Sequence, residues 1–426
     1  MIQRKKLLII SMFASVSACG GVSGTSEPPV LPQQPGPTPR AEPTSGWITE
    51  PGGRSDPQKV TTLIRVSTPR KLRDLFTRIA SRMDDGPLGE FFRAFADGSG
   101  SGSGFVMVRH DGAEDEPVIV TNRHVVQRAE NANIRLADGS VYNNCEIIYT
   151  DPNNDLAVLA FPEGMRSVPY GLRPAAGSVE NLQTVIATGY PALGDKPNYQ
   201  MTKGEVSNKS FVMDEDGESG ATYIQHTAAI DPGSSGGPLT SPSGELIGVN
   251  TLVAMNRHSA FFAVPASAVV DAVQAALTVK HNRGAAAWKK QKLVEACRVL
   301  TGELSAMNPK VDVLDDMISN DFVAEEGLES VKALMAAGAI SGKDFIEDPL
   351  DAMRKAVLVR TVFRLRDMGG VARTNTCDAI NPSDEANIAR ARNVRMSIDA
   401  QHRRLELTWT FEHGHWRVAN ADLGRL

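Results

Sequence analysis

Between Val60 and Ala275 the chain is a succession of short apolar runs: TTLIRVST, GFVMV, PVIVT, CEIIYT, LAVLAF, TVIAT, TYIQH, ELIGVNTLV and FFAVP. Each is rich in β-branched residues, and Asp-Gly, Pro or Asn-rich turns separate them. Many short strands with such punctuation over about 200 residues predict an all-β sandwich or barrel. One helical pattern interrupts them. Lys71–Phe95 contains LRDLFTRIASRM and LGEFFRAF, with apolar residues at helical spacing. SGSGSG ahead of Phe105 reads as a glycine-rich entry loop to the strand that follows.

From Ala285 the texture changes to long helical patterns, WKKQKLVEACRVL, GLESVKALMAAG and DPLDAMRKAVLVRTVFRLRDMG. The end returns to strand. In RRLELTWTF, Leu405, Leu407, Trp409 and Phe411 alternate with Arg404, Glu406, Thr408 and Thr410, the period of a half-buried strand. Glu412-His413-Gly414 then turns into HWRVAN and predicts a hairpin. Residues 285–426 are therefore expected to form a separate, smaller α+β domain. A final W…WRV hairpin with amphipathic helices is similar to the cone-shaped NTF2-like fold, an analogy only. No catalytic cluster stands out there, so a substrate-binding, partner-binding or regulatory role is expected, with plain packing as the alternative.

The first 20 residues differ from everything after them. Arg4, Lys5 and Lys6 precede the short apolar run Leu7–Ala14, the pattern of a secretory signal and not of a transmembrane helix. Val16-Ser17-Ala18-Cys19-Gly20 resembles the lipobox of bacterial lipoproteins, which implies that Cys19 carries lipid and that the protein sits in the outer membrane, facing the periplasm. Residues 20–58, with EPPVLPQQPGPTPRAEP, cannot bury enough apolar surface to offset their ordering entropy and read as a tether. In an oxidising compartment the remaining cysteines allow one disulfide. Cys297 and Cys377, both in the C-terminal third, are the expected pair, and Cys145 in NNCEIIY is expected to be a buried small hydrophobe. A formal net charge of -5, with no basic block beyond Arg4–Lys6, leaves no electrostatic footprint for nucleic acid. No Cys/His cluster suggests a metal, and no cofactor is implied.

The chemistry, if any, centres on DPGSSGGPL, Asp231–Leu239. A serine hydroxyl is a poor nucleophile at neutral pH unless a base takes its proton and an acid holds that base in the right tautomer. Of the eight histidines, His124 in IVTNRHVV ends an apolar strand where a short helical turn could present its ring to a cleft. Asp155 in NNDLAVLAF sits at the mouth of another apolar strand, where its carboxylate could lie beside an imidazole. The order is His124, Asp155, serine. These residues alone leave Ser234 and Ser235 both open.

TNRHVV, DLAVL and DPGSSGGPL followed by GELIGVNT resemble the trypsin-like proteases of the HtrA/Deg type, as do GSGF (Gly102–Phe105) and FFAVPAS (Phe261–Ser267). LGEFFRAF is similar to the phenylalanine-rich segment of many members. The resemblance covers roughly Val60 to Ala275. It implies a chymotrypsin-like double six-stranded β-barrel over residues 59–280, with Ser235 as nucleophile, His124 as general base and Asp155 as acid. Glycines around Ser235 would let the Gly233 and Ser235 N–H groups point into one oxyanion hole. The resemblance also implies Ala229 at the base of the first specificity pocket, Phe262 bordering it, and Asn250-Thr251 on the strand that pairs with extended substrate. An alanine at the pocket base argues against Arg/Lys selection and for small or medium apolar side chains. Ser234 and Asp231 stand where the family commonly has Asn, and no match to a PDZ module follows residue 285. The expected function is an extracytoplasmic serine endopeptidase of protein substrates, in envelope quality control, with oligomerisation and a regulatory partner left open. The alternative is a binding or chaperone-like protein on a protease scaffold, inactive or active only with a partner.

Overall fold

A computed structural model describes residues 46–422 apart from 52–54, 83–92, 94–95, 97–98, 111–113, 128, 152, 165–169, 192–196, 213–220, 252–259, 307–309, 337–348, 368–376, 378–386, 389, 391–393 and 400–403. The leader, Cys19, most of the tether and most of LGEFFRAF lie outside the described residues. The elements run α1 (Pro57–Val60), β1 (Thr61–Ser67), α2 (Arg70–Ala80), β2 (Ser99–His110), β3 (Asp115–Asn122), α3 (Arg123–Val126), β4 (Asn131–Leu136), β5 (Val141–Asp151) and β6 (Leu156–Ala160). There follow β7 (Thr184–Gly189), β8 (Gln200–Val212), β9 (Thr222–His226), β10 (Pro238–Thr240), β11 (Leu246–Thr251), β12 (Phe261–Pro265) and α4 (Ala266–Asn282). The remainder is α5 (Ala286–Ser305), α6 (Val311–Asp316), α7 (Asn320–Ala336), α8 (Pro349–Asp367), β13 (Val394–Asp399), β14 (Arg404–Glu412) and β15 (His415–Asp422).

The strands close two antiparallel barrels, β1-β2-β3-β6-β5-β4 and β10-β11-β12-β9-β8-β7, and β13-β14-β15 form a third, open sheet. Closure removes the strand edges that an open sheet would leave unpaired. Period-2 patterning sets which side faces in. In β4, Ala132, Ile134 and Leu136 are buried while Asn131, Asn133 and Arg135 are exposed. The first barrel fills with Ile64, Phe105, Met107, Val120, Ile134 and Leu159, and α4 seals it with Val269, Val273 and Leu277. The second has a smaller core around Val185, Val206, Ile224, Leu239 and Ile247.

SGSGSG is not a loop. It is the first half of β2 and pairs residue for residue with β1, from Ser99 opposite Ser67 to Gly104 opposite Thr62. Its glycines answer to crowding, not flexibility. A Cβ on Gly104 would lie 2.7 Å from Ile64 Cδ1 and 2.8 Å from the Val120 carbonyl oxygen, and one on Gly102 would lie 2.7 Å from Val125 Cγ1.

The C-terminal core gathers Leu293, Leu300, Phe322, Val357, Leu407, Trp409 and Trp416, with Cys297 and Cys377 disulfide-bonded at a Cα separation of 5.7 Å. Cys145 stays free and buried in the first barrel, where burial pushes its thiol up to about 12. The sequence places Lys71–Phe95 with the β-rich region, but α2 buries Leu72, Leu75, Phe76 and Ile79 in the C-terminal core. Four such side chains at roughly 1.5–3 kcal/mol each make this a strong attachment. Among the described residues no helix is long and apolar enough to cross a membrane, which says nothing of strands.

The β14–β15 turn, with His413 at φ 50° and Gly414 at φ 81°, has the left-handed backbone of a tight hairpin and docks on the first barrel. Thr150 donates its N–H to the His413 carbonyl at 3.2 Å, and His415 Nε2 lies 2.7 Å from the Thr150 carbonyl oxygen. Burial, with Arg417 nearby, lowers His413 to about 3 and His415 to about 4; Arg123 and Lys292 also act against a charged His415. Both imidazoles are neutral in the fold yet protonate near 6.5 when unfolded. The unfolded state therefore binds more protons below that value, and stability must fall as pH drops from about 6.5 toward about 4. A thermal-denaturation series from pH 7.5 to 4.5 should show this loss. Its slope should be shallower in His413→Asn, which keeps a residue tolerant of positive φ.

Candidate active site

Asp155, in the turn just before β6, has a left-handed backbone, φ 51°, and its peptide and its side chain face the same neighbour. Its carbonyl accepts from Arg123 N–H and from Asn122 Nδ2, both at 3.0 Å. Its carboxylate accepts from His124 N–H at 3.0 Å through Oδ1, and from His124 Nδ1 at 2.8 Å through Oδ2. Thr251 adds its hydroxyl to Oδ2 at 3.0 Å. Burial works to raise this carboxyl, but the His124 charge and the hydrogen bonds from His124 and Thr251 outweigh it and hold it below the usual carboxylate range. An ionised carboxylate can only accept, so His124 carries its proton on Nδ1 and leaves Nε2 as the basic nitrogen. The His124 side chain is 42% exposed.

The loop carrying Ser234 and Ser235 is tied down around both residues, and both are buried. Ser234 N–H donates to the Asp231 carbonyl at 2.9 Å, and Gly237 N–H to the Ser234 carbonyl at 3.0 Å. Gly233 and Gly236 have φ of 101° and 87°, which L side chains rarely adopt. Gly236 also has no room: a Cβ would lie 2.1 Å from the Ser103 carbonyl oxygen and 2.3 Å from Thr121 Oγ1. The same imaginary atom would be 3.1 Å from Asn122 N, two residues ahead of His124. β11 fastens both halves of the site. Asn250 accepts from Gly236 N–H at 2.9 Å, and Thr251 holds Asp155. The three sequence-selected residues thus hang on one short run of contacts.

Ser103 was not singled out as a site residue, yet it anchors this loop from β2. Its N–H donates to the Ser235 carbonyl at 2.8 Å and its hydroxyl to the Gly233 carbonyl at 2.7 Å. Tyr190 N–H donates to that hydroxyl at 2.8 Å. The available signal is a small polar residue between the crowded Gly102 and Gly104 of GSGF.

The specificity residues stand differently. Ala229 is exposed, its carbonyl accepting from the Thr202 hydroxyl at 2.6 Å. Phe262 is buried against Phe211 and Tyr223, at ring-centroid distances of 5.0 and 6.5 Å. Asn250 N–H donates to the Gly237 carbonyl and its own carbonyl accepts from Gly236 N–H, which ties β11 to the serine loop, and Thr251 carries its hydroxyl to Asp155. Among the described residues no three His, Cys, Asp or Glu side chains gather as a metal site.

Residues 102–249 match the model of the trypsin-like peptidase domain. A protein of Pseudomonas putida named "Probable periplasmic serine endoprotease DegP-like" is 29% identical over 61% of this chain and 51% of its own length. The "Serine protease Do-like HtrA" of Bacillus subtilis is 34% identical over 36% of this chain and 34% of its own. The chain spans about half or less of the length of these relatives. Among solved structures, the active form of the Rv3671c protease from M. tuberculosis is 22% identical, covering 60% of this chain and 93% of that one at a TM-score of 0.39. The two-barrel architecture stands on this chain's own strand pairing.

Proposed function

We propose that this chain, which carries a trypsin-like peptidase domain and is similar to HtrA and DegP serine proteases, is a serine endopeptidase acting on proteins. The observation that carries the reading is the oriented imidazole: a depressed carboxylate takes two hydrogen bonds from His124 and a third from Thr251. A histidine fixed in this tautomer, beside a serine loop held in left-handed glycine backbone, is what acyl transfer requires.

In the proposed mechanism Ser235 Oγ attacks the scissile carbonyl as His124 Nε2 takes its proton. Asp155 keeps the imidazole oriented and stabilises its charged form. The Gly233 and Ser235 N–H groups receive the oxyanion of the tetrahedral intermediate, where loss of one such donor typically costs about 2.7–4 kcal/mol. The imidazolium then protonates the leaving amine. Water, deprotonated by the same His124, attacks the acyl-enzyme and frees Ser235. With Ala229 in place of an acid at the pocket base, small or medium apolar side chains are the proposed preference.

The surrounding chain is read in the same spirit. Residues 1–19 would be a lipoprotein signal peptide, Cys19 the lipid attachment point, 20–58 a tether, 59–280 the protease and 285–426 the second domain. This would place catalysis at the cell envelope, lipid-anchored at the outer membrane and facing the periplasm, on protein substrates. Fluorophosphonate labelling of the purified chain tests the catalytic core directly. Wild type should label and Ser235→Ala should not. Labelling of neither would favour a binding protein on this scaffold, and labelling of both would move the nucleophile away from Ser235.

A further inference from the structure

His124 sits on α3, a single turn of four residues, with one internal closing bond from Gln127 N–H to the Arg123 carbonyl at 2.8 Å. So short a helix does not hold itself, because its nucleation cost is not recovered by propagation. The C-terminal region grips it at both ends. At the start, Arg123 extends a half-buried guanidinium that lies 3.3 Å from Asp315 Oδ2 and also pairs with Asp316. At the end, Asn320 Nδ2 donates to the Gln127 carbonyl at 3.0 Å.

One buried residue ties these two grips together. Arg354 donates through Nε to Asp315 Oδ1 at 2.6 Å, through Nη1 to Asn320 Oδ1 at 3.1 Å and through Nη2 to the Ile318 carbonyl at 2.9 Å, and Nη2 also reaches the Asp315 carbonyl. Asp316 is fixed in turn, its carbonyl accepting from Arg417 Nε at 2.9 Å. The same guanidinium donates to Thr150 Oγ1 of the first barrel at 3.0 Å. Three arginines and two aspartates with directional contacts make a rigid frame, since forked guanidinium bonds fix orientation as well as distance. The frame meets the enzyme at the residue next to the general base.

We infer that the C-terminal region braces the catalytic base, with Arg123, Asp315 and Asn320 as positioning residues for His124. The inference rests on the protease reading above and gives residues 285–426 a part in catalysis without contact with substrate. A proton-transfer step is sensitive to such bracing, because a misplacement of about 1 Å can cost about 100-fold in rate.

The test compares the full-length wild type with Arg123→Ala, Asn320→Ala and Arg123→Lys. It reads kcat and KM on a denatured protein substrate, the rate of fluorophosphonate labelling, and amide hydrogen exchange over residues 122–128. Both alanine variants should lose about 10- to 100-fold in kcat and in labelling rate, with KM within about two-fold of wild type and faster exchange over 122–128. Arg123→Lys should recover part of the loss. If Arg123→Ala fails to fold, Asn320→Ala, which removes one bond to the Gln127 carbonyl and one from Arg354, decides. Wild-type kcat, labelling and exchange in the alanine variants, beside an active wild type, would overturn the brace alone. A wild type that neither cleaves nor labels would overturn the catalytic reading. Exchange over 122–128 would then decide the brace, unchanged protection overturning it and lost protection upholding it.

Discussion

Alanine at Ser235 is expected to lower kcat by about 10⁶-fold, and alanine at both Ser235 and His124 to lower it no further than either change alone. The reason is that the two side chains perform one act. Without the base, the Ser235 hydroxyl keeps its proton; without the hydroxyl, the His124 imidazole has nothing to activate. The free energies therefore do not add. Residual turnover of about 10³–10⁴ over the uncatalysed rate should survive in the double variant, from binding and the oxyanion donors. Single-turnover hydrolysis of a peptide substrate by the three variants measures this. Losses that multiply would mean that His124 and Ser235 act separately, and the triad reading would not stand.

Asp155→Asn carries the second large effect, a fall of about 10⁴-fold in kcat with little change in melting temperature. The asparagine fills the same space and keeps an oxygen for the His124 N–H, with its amide nitrogen in place of the Oδ2 that faces His124 Nδ1 and Thr251. What changes is the sign of its hydrogen bond to the ring. An amide N–H facing Nδ1 requires an unprotonated Nδ1, which puts the imidazole proton on Nε2 and removes the base. The Asp155 carboxyl is held below the usual carboxylate range, so in wild type it is ionised throughout the neutral range and the acid limb of the rate profile belongs to another group. Proton NMR of the imidazole in Asp155→Asn would show the exchanged tautomer. A variant with wild-type kcat would be incompatible with an orienting role.

Much of this was legible in the sequence because each signal was local or paired with a family pattern. β-branched runs with turn residues between them announced closed β structure, and period-2 alternation marked β14 with Leu407 and Trp409 inward. His124 and Asp155, the proposed base and acid, stand at strand ends, where a side chain can leave a barrel and still be anchored. What escaped was what depends on distant neighbours. SGSGSG looked like a loop because glycine and serine are poor strand formers in isolation. Only Ile64, Val120 and Val125 pressing on that strand explain its composition. The pairing of Asn250 is equally remote from local sequence, because extended backbone beside a serine loop can bond to a substrate or to the loop, and only Gly236 and Gly237 show that it bonds to the loop. Arg123 carried no signal at all, since its partners Asp315 and Asp316 lie some 190 residues further on.

The excursion between β1 and β2 bears on how such a chain can be inherited and cut. α2 leaves the first barrel, places Leu72, Leu75, Phe76 and Ile79 among side chains from beyond residue 290, and the chain then returns to the barrel it left. The two regions are laced, not joined end to end. Severing the backbone near Gly284 would not release a freestanding protease, because the first fragment would keep a bare apolar helix and the second would lack part of its centre. Recombination at that junction would fail for the same reason. A descendant could exchange its C-terminal region only by rewriting, in the same step, a helix that lies more than 200 residues upstream of the exchange.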